Sequence, residues 1–445
     1  MNILTLENRI DQFQYNYFRL LVYLFPFITL LKKKGFAEPF LFLAVIYGLI
    51  RLGMFLTGKI KASFVLLPIV SIALSLAFIV FLYHRIFYHS EHITYFARYF
   101  SLPFIFILFF IFDSNTYFFS KYELKRYVLY VFLLLSMWII IDFILIKIFN
   151  MDPTWQLMWT FHPRELLAWQ QHCIAPQLIF SFDSFIPENS TLFTYPTHPL
   201  SIIDILLNII NLIFGGDWRP QGLIGQPSVT SSVVIFLYLI YRYIDSSENI
   251  YKRNIFNVFL FSILTLTILL QNSGLGFVLY LAMIFLMMLT SKKKWRFIAL
   301  LLPALFLALI LSGHFYRISL SYIFYIWVLI HRALSNYIKH ITIMGFIFGV
   351  PYPFYAGGSG YLFILSCMGI VYSLFYYCFV LKIAEKGKNK WLWLAIILLS
   401  LSDAHYTSSF YYPIIPLVIA LLTIKIYLNA ENYNFSAKYN ILNYA

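Results

Sequence analysis

Long runs of apolar residues, separated by short polar interruptions, occupy most of the chain. Each run is close to the roughly 20 apolar residues that a helix needs to cross the hydrocarbon core of a bilayer. A period of two, which the strands of a membrane barrel would show, is absent. The pattern therefore predicts an all-α integral membrane protein with about twelve transmembrane helices in a single polytopic domain covering residues 1–445. The predicted runs are 15–31, 39–56, 62–83, 98–113, 127–149, 223–241, 254–271, 274–290, 297–313, 361–381, 391–406 and 411–428.

The composition agrees with this class and excludes a soluble fold. Hydrophobic residues make up 61% of the chain and charged residues 11%, with a mean hydropathy of +0.80, whereas an average soluble domain is roughly 25% charged. The net charge of +14 predicts an oriented membrane protein in contact with anionic lipid, and no nucleic-acid partner. The three cysteines form no CxxC pair, so neither a disulfide framework nor a zinc site is predicted.

The basic stretches 121–126, 291–296 and 382–390 all fall on one side of the twelve-helix count. Because cytoplasmic loops are enriched in Lys and Arg, this side and both termini are predicted to be cytoplasmic. Residues 32–34, three lysines, fall outside and break the rule, so one of the first two helices is expected to be re-entrant or interfacial.

Two longer segments, 150–222 and 314–360, fall on the opposite, periplasmic side of the count. Both mix His and Arg with aromatic and apolar residues. Within them, 198–215 repeats apolar residues at helical spacing and 318–340 is largely apolar, so each is predicted to form an interfacial helix. Functional chemistry is expected in these two segments, because the spans themselves are almost free of charge, Asp142 being an exception.

Three motifs resemble Wzy-type polysaccharide polymerases and the related O-antigen ligases. Arg219-Pro-Gln-Gly222-Leu-Ile-Gly-Gln-Pro227 is similar to an Arg-Pro-x-Gly-x-x-x-x-Pro segment that opens a span in that family. Gly358-Ser359-Gly360-Tyr361-Leu362, with Gly369-Ile370 after it, is similar to a second signature. Asn272-Ser273-Gly274 stands where the family has a Thr-x-Ser-Arg-like turn. The resemblance covers about 219–380, and the N-terminal half agrees in hydropathy only.

The resemblance implies an enzyme of the bacterial inner membrane that needs no metal or organic cofactor. Such an enzyme moves a growing O-antigen or capsule glycan from undecaprenyl diphosphate onto another lipid-linked repeat unit at the periplasmic face. Its expected partners are the lipid-linked donor and acceptor, membrane lipid and a chain-length regulator protein. Two departures matter: Gly358 stands where many members, and the ligases in particular, carry His or Asp, and no arginine follows Ser273.

The implied chemistry selects candidate residues. Departure of a diphosphate develops negative charge, which fixed guanidinium groups stabilise, and a carboxylate or His is required to deprotonate the acceptor hydroxyl. His162 is a further candidate base. The predicted catalytic residues are Arg219, Arg317, His314, Glu165 and His405. The predicted substrate-binding residues are Arg164, Arg332, Gly358, Ser359, Tyr361 and Asp403.

Each of these residues also has a purely structural interpretation. An arginine at the start of a span, such as Arg219, also reaches the headgroups by extending its side chain, and glycines at 357–360 also serve a simple turn. Two other functions stay open: an O-antigen ligase, which shares the fold and donor, and a flippase for lipid-linked oligosaccharides, which would be expected to line a cavity with charges inside its spans.

Overall fold

The computed structural model describes the helical cores of the chain. The described residues are 16, 19–20, 22–26, 46, 49–50, 52–58, 66–88, 101–108, 111, 121–149, 227–246, 254–271, 273–289, 338, 341–350, 360–401 and 414–427. Within these ranges all regular structure is α-helical and no strand occurs. The principal helices are α1 (Leu67–Tyr88), α2 (Lys121–Phe149), α3 (Pro227–Asp245), α4 (Asn254–Gln271), α5 (Gly274–Leu289), α6 (Ile343–Phe348), α7 (Gly360–Gly387), α8 (Lys390–Leu401) and α9 (Ile414–Tyr427).

Several of these helices have the properties of membrane spans. Three are long and apolar enough to cross a membrane: Leu67–Phe87, Tyr122–Leu145 and Ile364–Gly387. Four shorter apolar helices accompany them: Phe256–Gln271, Leu275–Leu289, Lys390–Ser400 and Ile414–Tyr427. The protein is thus a membrane-embedded helical protein. The predicted run 297–313 lies outside the described residues, as do parts of the runs in the first 113 residues.

The hydropathy pattern located most of the described helices well but made some of them too short. The predicted runs 254–271 and 274–290 agree with α4 and α5 to within one residue. By contrast, α2 begins at Lys121 and α7 continues to Gly387, so most of two stretches that were predicted as basic loops is helical. Lys, Arg and Glu are good helix formers, so charge ends the apolar run without ending the helix. The short helix α6 was not predicted.

Burial divides the helices into central and peripheral ones. Every described side chain of α9, and those of α3 from Val229 to Tyr241, are buried, as expected for helices that are apolar on all sides. Helix α3 packs against α2, α4, α5 and α8, while α7 packs against α1, α6 and α8. The peripheral helix α2 buries one stripe, at spacings of three and four residues: Leu124, Val128, Val131, Leu135, Ile139 and Asp142.

Contacts between side chains fix the relative directions of the helices. Lys125 meets Asp245 and Phe132 meets Tyr238, so α2 and α3 run antiparallel. The end of α7 meets the end of α9 through Lys386 and Tyr427. These contacts define a basic end of the bundle, formed by the start of α2, the ends of α3, α7 and α9, and the start of α8. The starts of α3, α5 and α7 and the end of α4 therefore lie at the opposite end.

Candidate functional site

Most residues that were predicted to form the site lie outside the described residues. Tyr361 is the exception: it belongs to the first turn of α7, and Gly358 and Ser359 directly precede that helix. The structure tests none of the roles predicted for these residues, that of Tyr361 included. The predicted residues outside the described ranges are His162, Arg164, Glu165, Arg219, His314, Arg317, Arg332, Gly358, Ser359, Asp403 and His405.

At the opposite end, three helix ends meet around a hydrogen bond in the protein interior. Ser231 Oγ, on the first turns of α3, donates to Gln271 Oε1 at the end of α4, at 2.5 Å. Both side chains are fully buried. Ser273 caps α5 by accepting a hydrogen bond from the Gly276 backbone N–H at 3.3 Å. We call Ser231, Gln271, Ser273 and Gly276 the hydroxyl–amide cluster; its polar groups carry no formal charge.

The close approach of α5 to α3 depends on a glycine. A Cβ added at Gly276 would overlap both Cβ and Oγ of Ser231, so no other residue fits there without moving a helix. The neighbours of Ser231 on α3, Thr230 and Ser232, are hydroxylic and buried as well. Three consecutive hydroxyls at the start of an otherwise apolar helix therefore face protein rather than lipid.

One polar atom of the cluster has no partner among the described residues. Among the residues that the structure describes, Nε2 of Gln271 donates no hydrogen bond, although the side chain has no exposed surface. A buried donor that lacks an acceptor costs about 1–3 kcal/mol. The carboxamide is held in place by Ser231 through its oxygen, which leaves its nitrogen as the donor that is not used by the described residues.

Helix register brings a carboxylate to the same depth. The pairs Lys125–Asp245 and Phe132–Tyr238 show that moving forward by one residue along α2 corresponds to moving back by one residue along α3. Continued with the same rise per residue, this register places Asp142 level with the first turn of α3. Asp142 lies on the buried stripe of α2 and has no exposed surface.

Two of the motifs identified in the sequence lead directly into the cluster. The segment 219–227 ends on Pro227, the first residue of α3. The segment 272–274 joins α4 to α5, immediately after Gln271. Although these motifs are separated by more than forty residues, the helix ends that follow or precede them are in contact. This juxtaposition is a property of the fold that the sequence did not reveal.

The third motif coincides with a break in a helix. Within α7, Gly369 adopts φ 72° and ψ 174°, which is not helical. The backbone of α6 fills the break: a Cβ at Gly369 would overlap the carbonyl of Ile347, and one at Gly349 would overlap that of Cys367. The Val350 N–H donates to the Ser366 carbonyl at 2.8 Å, which satisfies an acceptor near the break. We call this contact the glycine junction.

A histidine connects the glycine junction to α1. His84 Nε2 donates to the carbonyl oxygen of Phe348 at 2.8 Å, since a carbonyl can only accept. The ring of Tyr83 lies 4.9 Å from that of Phe348. The short helix α6 is thus held between α1 and α7, at the end of the bundle away from the basic residues.

No family model, curated protein or solved structure matches the chain. The resemblance to polysaccharide polymerases therefore stays a prediction from its motifs. The cluster residues Ser231 and Gln271 were not among the predicted site residues. Their signal was present in the sequence, as Thr-Ser-Ser at 230–232 inside an apolar run and as a glutamine next to a glycine turn.

Proposed function

We propose that the protein is a polysaccharide polymerase that joins undecaprenyl-diphosphate-linked oligosaccharide repeat units at the periplasmic face of the bacterial inner membrane. It would act as a metal-independent glycosyltransferase in the assembly of O-antigen or capsule. The donor and the acceptor would both be lipid-linked glycans, and a chain-length regulator would be a further partner.

The observation that carries this proposal is the meeting of the motif-bearing helix ends. The segment containing Arg219 leads into α3, and the segment containing Ser273 links α4 to α5. Where the ends of these helices pack together, Ser231 Oγ donates a hydrogen bond to Gln271 Oε1 at 2.5 Å. An enzyme that binds a diphosphate and a sugar hydroxyl needs several hydrogen-bond donors at one end of the bundle. This packing of the helix ends favours such an arrangement.

The proposed chemistry uses a charged group for the diphosphate and a neutral hydrogen-bond donor for another substrate oxygen. Arg219 would contact the diphosphate and stabilise the negative charge that develops as it leaves. Gln271 would donate its free Nε2–H to a substrate oxygen, because that donor is buried and has no partner among the described residues. The base that deprotonates the acceptor hydroxyl would be one of the outer carboxylates or histidines, Glu165, His314 and His405 among them.

One observation favours a second candidate, a transporter of lipid-linked oligosaccharide. Asp142 is fully buried within an apolar helix, and ionisable residues at such positions often serve proton relays. In that case Asp142 would take up and release a proton during each transport cycle. A polymerase needs no such step, so the two functions predict different effects of removing this carboxylate.

The decisive experiment is deletion of the gene in its host, followed by gel analysis of the surface polysaccharide. A polymerase predicts that the ladder disappears while one repeat unit is still attached to its anchor, because export and ligation remain intact. Polymer that accumulates on the lipid carrier would instead indicate a ligase. Single lipid-linked units retained on the cytoplasmic face would indicate the transporter.

Complementation of the deletion with variants separates these functions further. Asp142→Asn should restore the ladder if the protein is a polymerase and should fail to restore export if it is a proton-coupled transporter. The matched control is Ser262→Ala, because Ser262 is exposed on α4 and bonds only within its own helix. The control should restore the ladder in either case.

A further inference from the structure

The basic end carries a local excess of positive charge. Among the described residues, the end of α3, the end of α7 and the start of α8 present cationic side chains against a single exposed carboxylate, Glu385. The other carboxylate nearby, Asp245, binds Lys125 at 2.7 Å. The cations are Arg242, Lys382, Lys386, Lys388 and Lys390.

Two of these cations share one aromatic ring. The Arg242 guanidinium lies 4.9 Å from the centre of the Trp391 ring, and the Lys390 ammonium lies 5.4 Å from it. Within the described part of the chain, neither cation has a carboxylate at ion-pair distance. Both cations therefore border the same indole, and an anion that reaches both of them would offset their charge.

Hydrogen bonds connect the start of α8, which carries Trp391, to the end of α3. Asn389 caps α8 by accepting a hydrogen bond from the backbone N–H of Trp391 at 2.9 Å, and its Nδ2 donates to Ser246 Oγ at 2.9 Å. Ser246 in turn donates to the carbonyl of Tyr243 at 2.9 Å. The start of α8 is thus anchored to the end of α3, which places Arg242 beside Trp391 before any ligand binds.

An apolar stripe continues from the cations along the outer surface of α8. Lys390, Trp393 and Ile397 are three and four residues apart, so they lie on one face, and all three are exposed. Trp393 is 36% exposed and Ile397 is 42% exposed. A cation at the helix end with apolar side chains below it matches a phospholipid, whose charged headgroup lies above its acyl chains.

We propose that Arg242, Lys390 and Trp391 form a binding site for the phosphate of an anionic phospholipid headgroup, with an acyl chain over Trp393 and Ile397. The guanidinium of Arg242, which lies 4.9 Å from the centre of the indole, can donate two parallel hydrogen bonds to phosphate oxygens. The orientation predicted from the basic stretches assigns this end to the cytoplasm, whose leaflet is rich in anionic lipid. The proposal does not depend on the proposed function.

The test measures lipid binding to the purified full-length protein in detergent by native mass spectrometry and by thermal melting. Dioleoylphosphatidylglycerol is the probe, and dioleoylphosphatidylcholine is the uncharged comparison with identical chains. Inorganic phosphate and glycerol phosphate test for a free phosphate site. The expected result is that only phosphatidylglycerol binds tightly and raises the melting temperature.

Variants locate the binding. Each removed charge should weaken binding of phosphatidylglycerol about fivefold, so Arg242→Gln combined with Lys390→Gln should lose about 25-fold. Lys390→Gln alone removes an exposed side chain and keeps the test valid if the double variant does not fold. The matched control is Arg85→Gln, which removes an exposed arginine near the far end of α1 and should leave binding unchanged.

Three outcomes would overturn the proposal. Equal binding of phosphatidylcholine would mean that charge plays no part. Equal stabilisation by glycerol phosphate would mean that the site takes free phosphate and not lipid. An equal loss in Arg85→Gln would mean that only the total charge of the protein matters.

Discussion

The two ends of the bundle join their helices by different means. At the basic end, α2 and α3 are linked by the Lys125–Asp245 ion pair at 2.7 Å, and α3 and α8 by the cation–π contact of Arg242 with Trp391. At the opposite end the links are a buried hydroxyl–amide hydrogen bond and the bare backbone of glycines. One end uses long, partly exposed side chains, whereas the other uses short, buried groups.

The difference has a physical cause and a functional consequence. Long cationic side chains adapt to the headgroup layer, where they anchor helices and contact lipid. Short groups fix the distance between helices closely, as a site that positions reacting atoms requires. Substitutions at the basic end should therefore reduce stability without affecting the proposed chemistry, and substitutions of Ser231 and Gln271 should do the reverse.

The largest effect is expected at the glycine junction. Gly369→Val places a side chain against the carbonyl of Ile347 and requires a positive φ that valine adopts only at high cost. The expected cost exceeds about 4 kcal/mol, so little folded protein should be recovered. Size-exclusion chromatography in detergent measures this. Gly53→Ala is the control, since a Cβ there meets no atom within 4 Å. A monodisperse Gly369→Val protein would show that α6 does not fill the break.

The next effect concerns activity. Arg219→Ala should abolish long chains while the protein still inserts and accumulates, a loss of roughly 100-fold or more if the guanidinium stabilises the leaving diphosphate. Arg219→Lys should restore little, because a point charge does not replace a planar fork. Gel analysis of polysaccharide from the complemented deletion strain checks both. Normal chains from Arg219→Ala would remove this residue from the mechanism.

At the basic end, loss of the ion pair should affect stability alone. Asp245→Asn leaves the largely buried Lys125 without its carboxylate partner. The free energy of unfolding should fall by about 2–3 kcal/mol. This cost is lower than that of breaking a fully buried pair, because the lysine keeps some exposure to solvent. Thermal melting in detergent measures the cost, and Glu385→Gln, an exposed carboxylate at the same end, should change little. If Asp245→Asn also abolished the polysaccharide ladder, the separation between the two ends would be wrong.

Hydropathy predicted the helices well because the apolar residues that place a helix in lipid follow one another in the sequence. The bounds of α4 and α5 followed from it almost to the residue. It could not predict α6, because Ile343–Phe348 is shorter than any span and is held by contacts with α1 and α7. Nor could it bring Ser231 and Gln271 together, because their contact depends on how α3 packs against α4. The charged residues proposed for catalysis remain predictions.

Substitution of Gln271 should have the smallest effect on stability but a clear effect on activity. Gln271→Met keeps the volume of the side chain but removes both the acceptor for Ser231 and the donor that has no partner among the described residues. These two changes have opposite signs, since losing a hydrogen bond destabilises by about 1 kcal/mol and removing an unsatisfied buried donor gains a similar amount. The melting temperature should therefore change little.

Activity should respond differently to the same substitution. If Nε2 donates to a substrate oxygen, its loss should lower polymer output about tenfold, the value of a single hydrogen bond of about 1.4 kcal/mol. Ser231→Ala separates the two roles, because it removes the support of the carboxamide and leaves Nε2 in place, so it should lower output less than Gln271→Met. Equal output from Gln271→Met and wild type would mean that the cluster only packs the helices, and the site would then lie entirely in the periplasmic segments.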